Sequence, residues 1–282
     1  MKQFKDRVAV VTGGASGLGR AMAMRFAREG MKVVLADIEQ DTLDATLKEF
    51  RQAGHDAIAV RCDVSRGEDV DALAQKTLQR YGAVHLVCNN AGVAPGGVIW
   101  EHSVKDWEWA MGPNVWGVIH GVRVFTPILL KQGTEGHIVN TASVAGLLTL
   151  PGMGLYCVTK HAVVSLTECL HHDLAGHSDK VKCSVLCPAY VPTRIAESER
   201  NRPQHLIDGR PKSEEDIRRE ENMRHAVESG RISAEQVADA VFDAVREERF
   251  YIITHQRIKP AIETRMQDIL LERLPTNTLA RK

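Results

Sequence analysis

Residues 7–19 read RVAVVTGGASGLG. Small and β-branched apolar side chains run to Thr12, and Gly13, Gly17 and Gly19 stand where the chain must turn. A strand that passes through glycines into a helix leaves backbone N–H groups free at the helix start. With no Cβ in the way, a pyrophosphate can approach them, favoured by the helix dipole. A glycine-rich turn alone is only a tight turn, so the decision rests on its surroundings. Here the turn opens a helix predicted over residues 17–29 and stopped by Gly30. A second strand, residues 32–37 (KVVLAD), follows at once.

The same alternation continues outward from this βαβ unit. Helices are predicted over 40–53, 67–80, 114–130 and 155–174, and strands over 57–62, 84–89, 136–141 and 181–187. Thr126 and Pro127 are expected to disturb the last turns of the helix over 114–130. After Pro188 the pattern changes. Residues 197–228 are dense in charge and contain Pro203 and Pro211. They are expected to form a long mobile loop or lid, partly disordered, with amphipathic helix but no strand. A helix over 234–247, a strand over 249–254 (RFYIIT) and a final helix over 261–274 close the packed part. Near-continuous apolar strands separated by helices specify an α/β fold. The expected architecture is a doubly wound, mainly parallel, seven-stranded sheet with helices on both faces and a C-terminal helical extension. With no internal repeat and no second core, residues 1–282 read as one domain. Residues 1–193 are its cofactor-binding and catalytic core, 194–230 a substrate loop or lid, and 231–282 the C-terminal helix, strand and tail.

Composition excludes several classes. The 282 residues include 36 basic and 36 acidic side chains, and the balance argues against a nucleic-acid partner. No run of 18 apolar residues offers a spanning helix, and the N-terminus lacks a secretory pattern. Six cysteines without a CxxC pair, mostly in or beside apolar strands, read as reduced, buried thiols of a cytoplasmic protein. His171, His172 and His177 invite a metal reading, but adjacent helical residues point in different directions. Solvated or capping histidines are expected there, and no metal site. Trp100, Trp107, Trp109 and Trp116 are expected to pack in the core or between subunits, with Trp100 a candidate pocket wall.

Asp37 ends the second strand, 18 residues after Gly19. A dinucleotide fold places a carboxylate there against the adenosine ribose hydroxyls. A 2′-phosphate would meet a like charge, and no Lys or Arg stands in the turn before Gly19 or beside Asp37, where Ile38 follows. The expected cofactor is NAD rather than NADP. The bland reading of Asp37 is a helix cap.

The spacing TGxxxGxG over residues 12–19 resembles the short-chain dehydrogenase/reductase superfamily, whose fold is of the Rossmann type. Further motifs resemble it in chain order: Asp63-Val64, Asn89-Asn90-Ala91-Gly92, Asn114, Ser143, Tyr156 and Lys160. Pro188-Ala189 stands where Pro-Gly is usual, with Val191 and Thr193 in the nicotinamide-contacting pattern. Pro113 precedes Asn114, and the charged stretch after Arg194 is longer than in compact members. The resemblance implies cofactor contacts at Gly13, Ser16, Gly17, Leu18, Gly19, Asp37, Ile38, Asp63, Val64, Asn90, Ala91, Gly92, Tyr156, Lys160, Pro188, Val191 and Thr193. It also implies a homo-oligomer, usually a tetramer built from the two long helices and the C-terminal strand. The segment RIAESERNRP (194–203) resembles the corresponding stretch in bacterial Cα-dehydrogenases of lignin-derived aryl ethers.

The chemistry also follows from residue types. Tyr156 and Lys160, four residues apart on a predicted helix, share a face. A phenol near pKa 10 is a poor base at neutral pH, and a nearby ammonium is expected to lower that value. Ser143, just past the fifth strand, can meet the phenol and polarise a carbonyl. By resemblance Asn114, at the start of its helix, serves a proton relay through Lys160. The expected activity is NAD-dependent hydride transfer between a secondary alcohol and its ketone, with Tyr156 as general acid/base. Segments 94–100, 144–154 and 190–228 should cover the pocket, and Leu147, Leu148, Leu150, Met153, Tyr190 and Val191 make its near part apolar. Substrate contacts are expected at Ser143, Leu147, Met153, Tyr156 and Tyr190, with a hydrophobic or aromatic arm on the substrate. Two other classes stay open: a non-catalytic NAD-sensing protein, and a non-redox lyase or epimerase using the same Tyr-Lys pair.

Overall fold

In the computed structural model, which describes residues 1–211 and 213–278, seven strands form one sheet. They are β1 (Val8–Thr12), β2 (Lys32–Asp37), β3 (Ala57–Arg61), β4 (Leu86–Asn89), β5 (Gly136–Thr141), β6 (Val181–Cys187) and β7 (Tyr251–Ile253). Their order is β3-β2-β1-β4-β5-β6-β7, and every neighbouring pair is parallel. Helices α1 (Gly17–Arg28), α2 (Gln40–Gln52), α3 (Gly67–Tyr81), α4 (Val104–Met111), α5 (Gly117–Gln132), α6 (Gly154–Ala175), α7 (Glu214–Glu228), α8 (Ala234–Glu247) and α9 (Lys259–Leu270) surround it.

The strands are apolar on both faces because both faces are covered. Ala9 and Val11 of β1 pack with Phe26 of α1 and Val241 and Phe242 of α8. Val8 and Val10 face the other way, towards Leu73 of α3 and Phe125 and Leu129 of α5. The chain winds from β1 out to β3, then returns and proceeds from β4 to β7. That reversal opens a crevice at the carboxyl ends of β1 and β4, the place where doubly wound sheets bind ligands.

Several expectations need correction. The sequence reading left 93–113 without an element, yet α4 lies there, started by a capping box between Ser103 and Asp106. Asn114 does not begin a helix. It sits in a π-helical turn, Gly112–Trp116, that joins α4 to α5 in one continuous helical run. Pro127 lies inside α5 and does not end it; α5 stops only where Gly133 turns left-handed at φ 63°. Burial of Phe125 and Leu129 on either side of Pro127 outweighs the hydrogen bond the proline removes.

The charged stretch after β6 is ordered. Residues 194–207 dock on the body, with Ser198 and Leu206 buried, and α7 follows behind a second capping box, Ser213 with Asp216. Its charges are accommodated in pairs, as in Arg202–Asp106 at 2.6 Å. The last helix ends at Leu270 rather than 274, because Asp268 binds the Thr276 N–H and Arg273 and turns the chain back. Lys212 in the lid region and residues 279–282 in the tail lie outside the described residues. Among the described residues, no helix is long and apolar enough to cross a membrane.

Candidate active site

At the end of β1 the Thr12 hydroxyl accepts the Asn90 and Ala91 N–H groups at 2.9 and 3.1 Å, and Asn90 Nδ2 donates to the Thr12 carbonyl at 3.0 Å. These bonds clamp β1 to β4 at the crevice. Gly13 follows at φ +64°, and a Cβ there would lie 3.0 Å from the Ala91 Cα and from Asn90 Nδ2. Gly19 is tighter still: a Cβ would sit 2.0 Å from the Gly13 carbonyl oxygen. The first turn of α1 therefore rests directly on the glycine turn. Ser16, at the N-cap, makes no side-chain cap, so Gly17, Leu18 and Gly19 bring their N–H groups to an open helix start.

Asp37 closes the adenosine side. Its carboxylate accepts the Ala15 N–H at 3.0 Å and the Glu39 N–H at 3.1 Å, while burial raises its pKa. Glu39 rather than Asp37 is the N-cap residue of α2, so the capping reading of Asp37 does not hold. Ile38 beside it is half-buried. Asp63 accepts both the Ser65 N–H and hydroxyl through one oxygen. Val64 is buried against Gly117, where a Cβ would come within 2.7 Å of it. On the opposite wall Thr193 stands over the turn, 3.2 Å from where a Gly17 Cβ would be. A cradle that added Cβ atoms would fill, with N–H groups at one end and a carboxylate at the other, fits a dinucleotide.

The acid/base groups meet beside this cradle. Ser143, just after β5, accepts the Ala145 N–H at 3.1 Å and donates to the Pro188 carbonyl at 3.3 Å. Its hydroxyl is also near enough to the Tyr156 phenol to lower that group's pKa against the rise from burial. Lys160, one turn along α6, holds its Nζ 5.6 Å from the Tyr156 ring centre and donates to the Thr141 carbonyl at 3.1 Å. Asn114 is fully buried. Its amide is gripped by both backbone groups of Val93 and by the Thr159 hydroxyl at 3.0 Å. A Cβ at Gly92 would meet Asn114 Oδ1 at 2.8 Å and Lys160 Nζ at 3.5 Å, so these two groups border one space.

The electrostatics differ from the sequence expectation. Burial pushes Tyr156 up to about 12 and Lys160 down to about 8, and the Ser143 hydroxyl only partly opposes the rise at Tyr156. Desolvation disfavours both charged forms. In this state Tyr156 is a neutral phenol, an acid ready to donate rather than a base.

Leu148 and Val191 are 1% and 4% exposed and belong to the core. Leu147 and Met153 are half-buried, Met153 capping α6 and bridging the Gly97 backbone. Tyr190 is 42% exposed and close enough to raise the Tyr156 pKa slightly. Trp100 is 82% exposed, whereas Ile99 packs on Gly154. Sequence reading missed Thr12, Thr141 and Thr159, which hold Asn90, Lys160 and Asn114. The one available signal was their adjacency to the motifs. His171 packs on the Phe250 ring and His177 caps the end of α6 at the Asp173 carbonyl. Among the described residues, no group of three or more His, Cys, Asp or Glu side chains could hold a metal.

Comparison with known proteins agrees with this geometry. The short chain dehydrogenase family pattern matches residues 7–204. The CLA biosynthesis dehydrogenase/reductase of Lactiplantibacillus plantarum is 34% identical over 98% of this chain and 97% of its own length. The C alpha-dehydrogenase of Sphingobium is 31% identical over 96% of this chain and 87% of its own. A crystal structure of a short-chain dehydrogenase/reductase from Burkholderia phymatum in complex with NAD is 50% identical. It superposes with a TM-score of 0.98 over the whole of both chains. Motifs, fold and relatives agree, and the chain belongs to the short-chain dehydrogenase/reductase family of oxidoreductases.

Proposed function

We propose that the protein is an NAD(H)-dependent dehydrogenase/ketoreductase of secondary alcohols with a hydrophobic or aromatic arm. The observation that carries this reading is the meeting of Ser143, Tyr156 and Lys160 beside the glycine cradle, with Asp37 at its far end. The complex of the Burkholderia relative with NAD supports the choice of cofactor, as does the buried carboxylate of Asp37. Gly13, Gly17 and Gly19 would take the pyrophosphate, Asp37 the adenosine ribose, and Lys160 the nicotinamide ribose. Bound NAD supplies hydride acceptance, and NADH hydride donation.

The chain's own groups do the rest. Ser143, once its hydroxyl turns from the Pro188 carbonyl, and the Tyr156 phenol could both donate to one substrate oxygen, so a carbonyl there would be polarised by two donors. Tyr156 donates its proton as an alcohol forms, and takes one back in the reverse direction. Lys160, held at Thr141, stands next to Tyr156 and to Asn114, a placement suited to passing protons towards solvent. Leu147, Met153 and Tyr190 give the substrate arm an apolar, aromatic neighbourhood. We further read the chain as a cytoplasmic homo-oligomer. Six unpaired cysteines support the first part. The exposed Tyr251 on the β7 edge, with Trp116 and Val158 half-exposed on the long helices, supports the second. Light scattering at micromolar concentration should give a multiple of the 31.2 kDa chain mass; a monomer would refute that part.

The activity is tested by offering a panel of aliphatic, benzylic and aryl-ether secondary alcohols with NAD or NADP and following NADH or NADPH absorbance. Turnover should require an apolar arm and favour NAD. Preference for NADP, or turnover only of polar polyols, would overturn the corresponding part. Release of product without any net change in nicotinamide redox state would favour the lyase or epimerase class.

A further inference from the structure

The segment that leaves β6 does more than approach the site: it crosses the crevice from one bank to the other. It starts at Thr193, over the glycine turn. On the β2 bank it is fastened to Glu39. Arg200 pairs with that carboxylate at 2.6 Å, Asn201 Nδ2 donates to it at 2.7 Å, and Arg194 lies 3.5 Å away. On the β4 bank the Ala94 N–H donates to the Ser198 hydroxyl at 3.2 Å, and Arg202 pairs with Asp106 of α4 at 2.6 Å. β2 and β4 lie on opposite sides of β1, so the strap spans the mouth of the crevice.

The two fastenings are unequal. Arg202 is 10% exposed and Asp106 12%. The same guanidinium donates to the Leu206 carbonyl at 2.8 and 3.1 Å and lies 5.0 Å from the centre of the Trp109 ring. Breaking that pair would strand a charge away from water, which is costly. At the other end Arg194 is 47% and Arg200 27% exposed, against 18% for Glu39. Water can replace those contacts at small cost. The strap is therefore hinged at Arg202–Asp106 and opens at Glu39.

We propose that Glu39 is a cofactor-retaining clasp residue: its carboxylate holds the 194–201 strap shut across the dinucleotide crevice and sets how fast the cofactor leaves. The proposal rests on the NAD reading above. Glu39 acts through Arg200, Asn201 and Arg194, and is a positioning residue rather than a catalytic one. Its neighbour Asp37 is fixed by the Ala15 and Glu39 backbone N–H groups, which a side-chain change at Glu39 leaves in place, while burial, and with it the Glu39 charge, raises the Asp37 pKa.

The test compares wild type with Glu39→Gln, which keeps shape and removes charge. Stopped-flow displacement of NADH should show release roughly two- to fivefold faster in the variant, the scale expected for losing a water-accessible ion pair. Wild-type release should quicken with added salt, and release from Glu39→Gln should not, because only the former breaks an ion pair on opening. In the protein without added cofactor, hydrogen exchange over 194–201 should speed up in Glu39→Gln while residues 202–206 keep their protection. Equal release rates and equal salt dependence in the two proteins would overturn the clasp and leave the NAD reading standing. Failure of the wild type to bind NADH at all would overturn both. Unchanged exchange over 194–201 would overturn the clasp whatever NADH does.

Discussion

Gly19 leaves no room for a methyl group, since a Cβ would lie 2.0 Å from a carbonyl oxygen of the turn it rests on. Gly19→Ala must push α1 off the turn. It should cost about 1–3 kcal/mol of stability, as overpacking does, and abolish NADH binding. Gly54, at φ +80° with open space around it, is the matching control: alanine there meets only backbone strain, about 1 kcal/mol, and NADH binding should persist. Denaturant unfolding and NADH fluorescence titration read both effects, and retained binding in Gly19→Ala would refute the cradle. Tyr156 gives a second residue-scale prediction. Burial holds its pKa above the ordinary 10.0, so the free protein should show no Tyr156 phenolate at neutral pH. The ultraviolet difference between wild type and Tyr156→Phe measures it; phenolate near pH 7 without cofactor would mean that Lys160 outweighs desolvation. The i, i+4 spacing of Tyr156 and Lys160 was legible in the sequence because helical periodicity puts both on one face. The sign of the shift was not, because it depends on how dry the site is. Nor was the approach of Arg194 and Arg200 to Glu39, a pairing across more than 150 residues of chain.

Elements with their own local signals could be read directly. β1, β2, β5 and β6 announce themselves as largely apolar runs bounded at one end by glycine, aspartate or proline, and all lie within a residue of where the sequence puts them. α4 carries an equally local signal, Ser103 with Asp106 three residues on, and could have been found from it. The π-helical turn at Gly112–Trp116 could not, because it is set by what packs on it. Gly112 lies against Ser65, Gly117 against Val64, and Asn114 must reach Val93. The charge-rich α7 falls where amphipathic helix is expected, and its capping box and the Arg219 pairs with Glu215 and Asp216 hold it locally as helix. α7 buries only Val227, so its order rests on those local bonds. Ser213→Ala should cost about 1 kcal/mol of local helix stability and leave the global midpoint of unfolding unchanged. Limited tryptic cleavage after Arg218 and Arg219 reads the fraying. A global loss of stability would show that α7 is part of the cooperative core.

At the scale of the whole molecule, acid should loosen the fold from the amino end of the sheet. His137 is fully buried beside Ser184, with one ring nitrogen unpartnered, and desolvation lowers its pKa to about 3. His85, next to Arg7, falls to about 4. Both must be neutral in the folded protein, while in the unfolded chain they take up protons below the ordinary value of 6.5. Stability is therefore full above that value and falls as pH drops towards 4. His137 alone costs about 1.4 kcal/mol per pH unit, or roughly 2 kcal/mol between pH 7 and 5. His85, also buried and with its pKa at about 4, adds a comparable loss over the same window. Asp106 and Glu39, whose pKa values are lowered by their arginines despite burial, lose their contribution only below about pH 4, outside this window. Urea unfolding at pH 7 and 5 should show the loss in wild type and a flatter dependence in His137→Gln; equal slopes would refute it. Activity is the other property of the assembled chain, since its groups come from the ends of β1, β2, β4, β5 and β6 and from the helices between. The most direct test of the central claim uses Tyr156→Phe, which removes one oxygen from the site. Its NADH affinity should match wild type, while alcohol oxidation and ketone reduction fall at least a hundredfold. Near-wild-type turnover with intact NADH binding would contradict the assignment of Tyr156 as the acid/base.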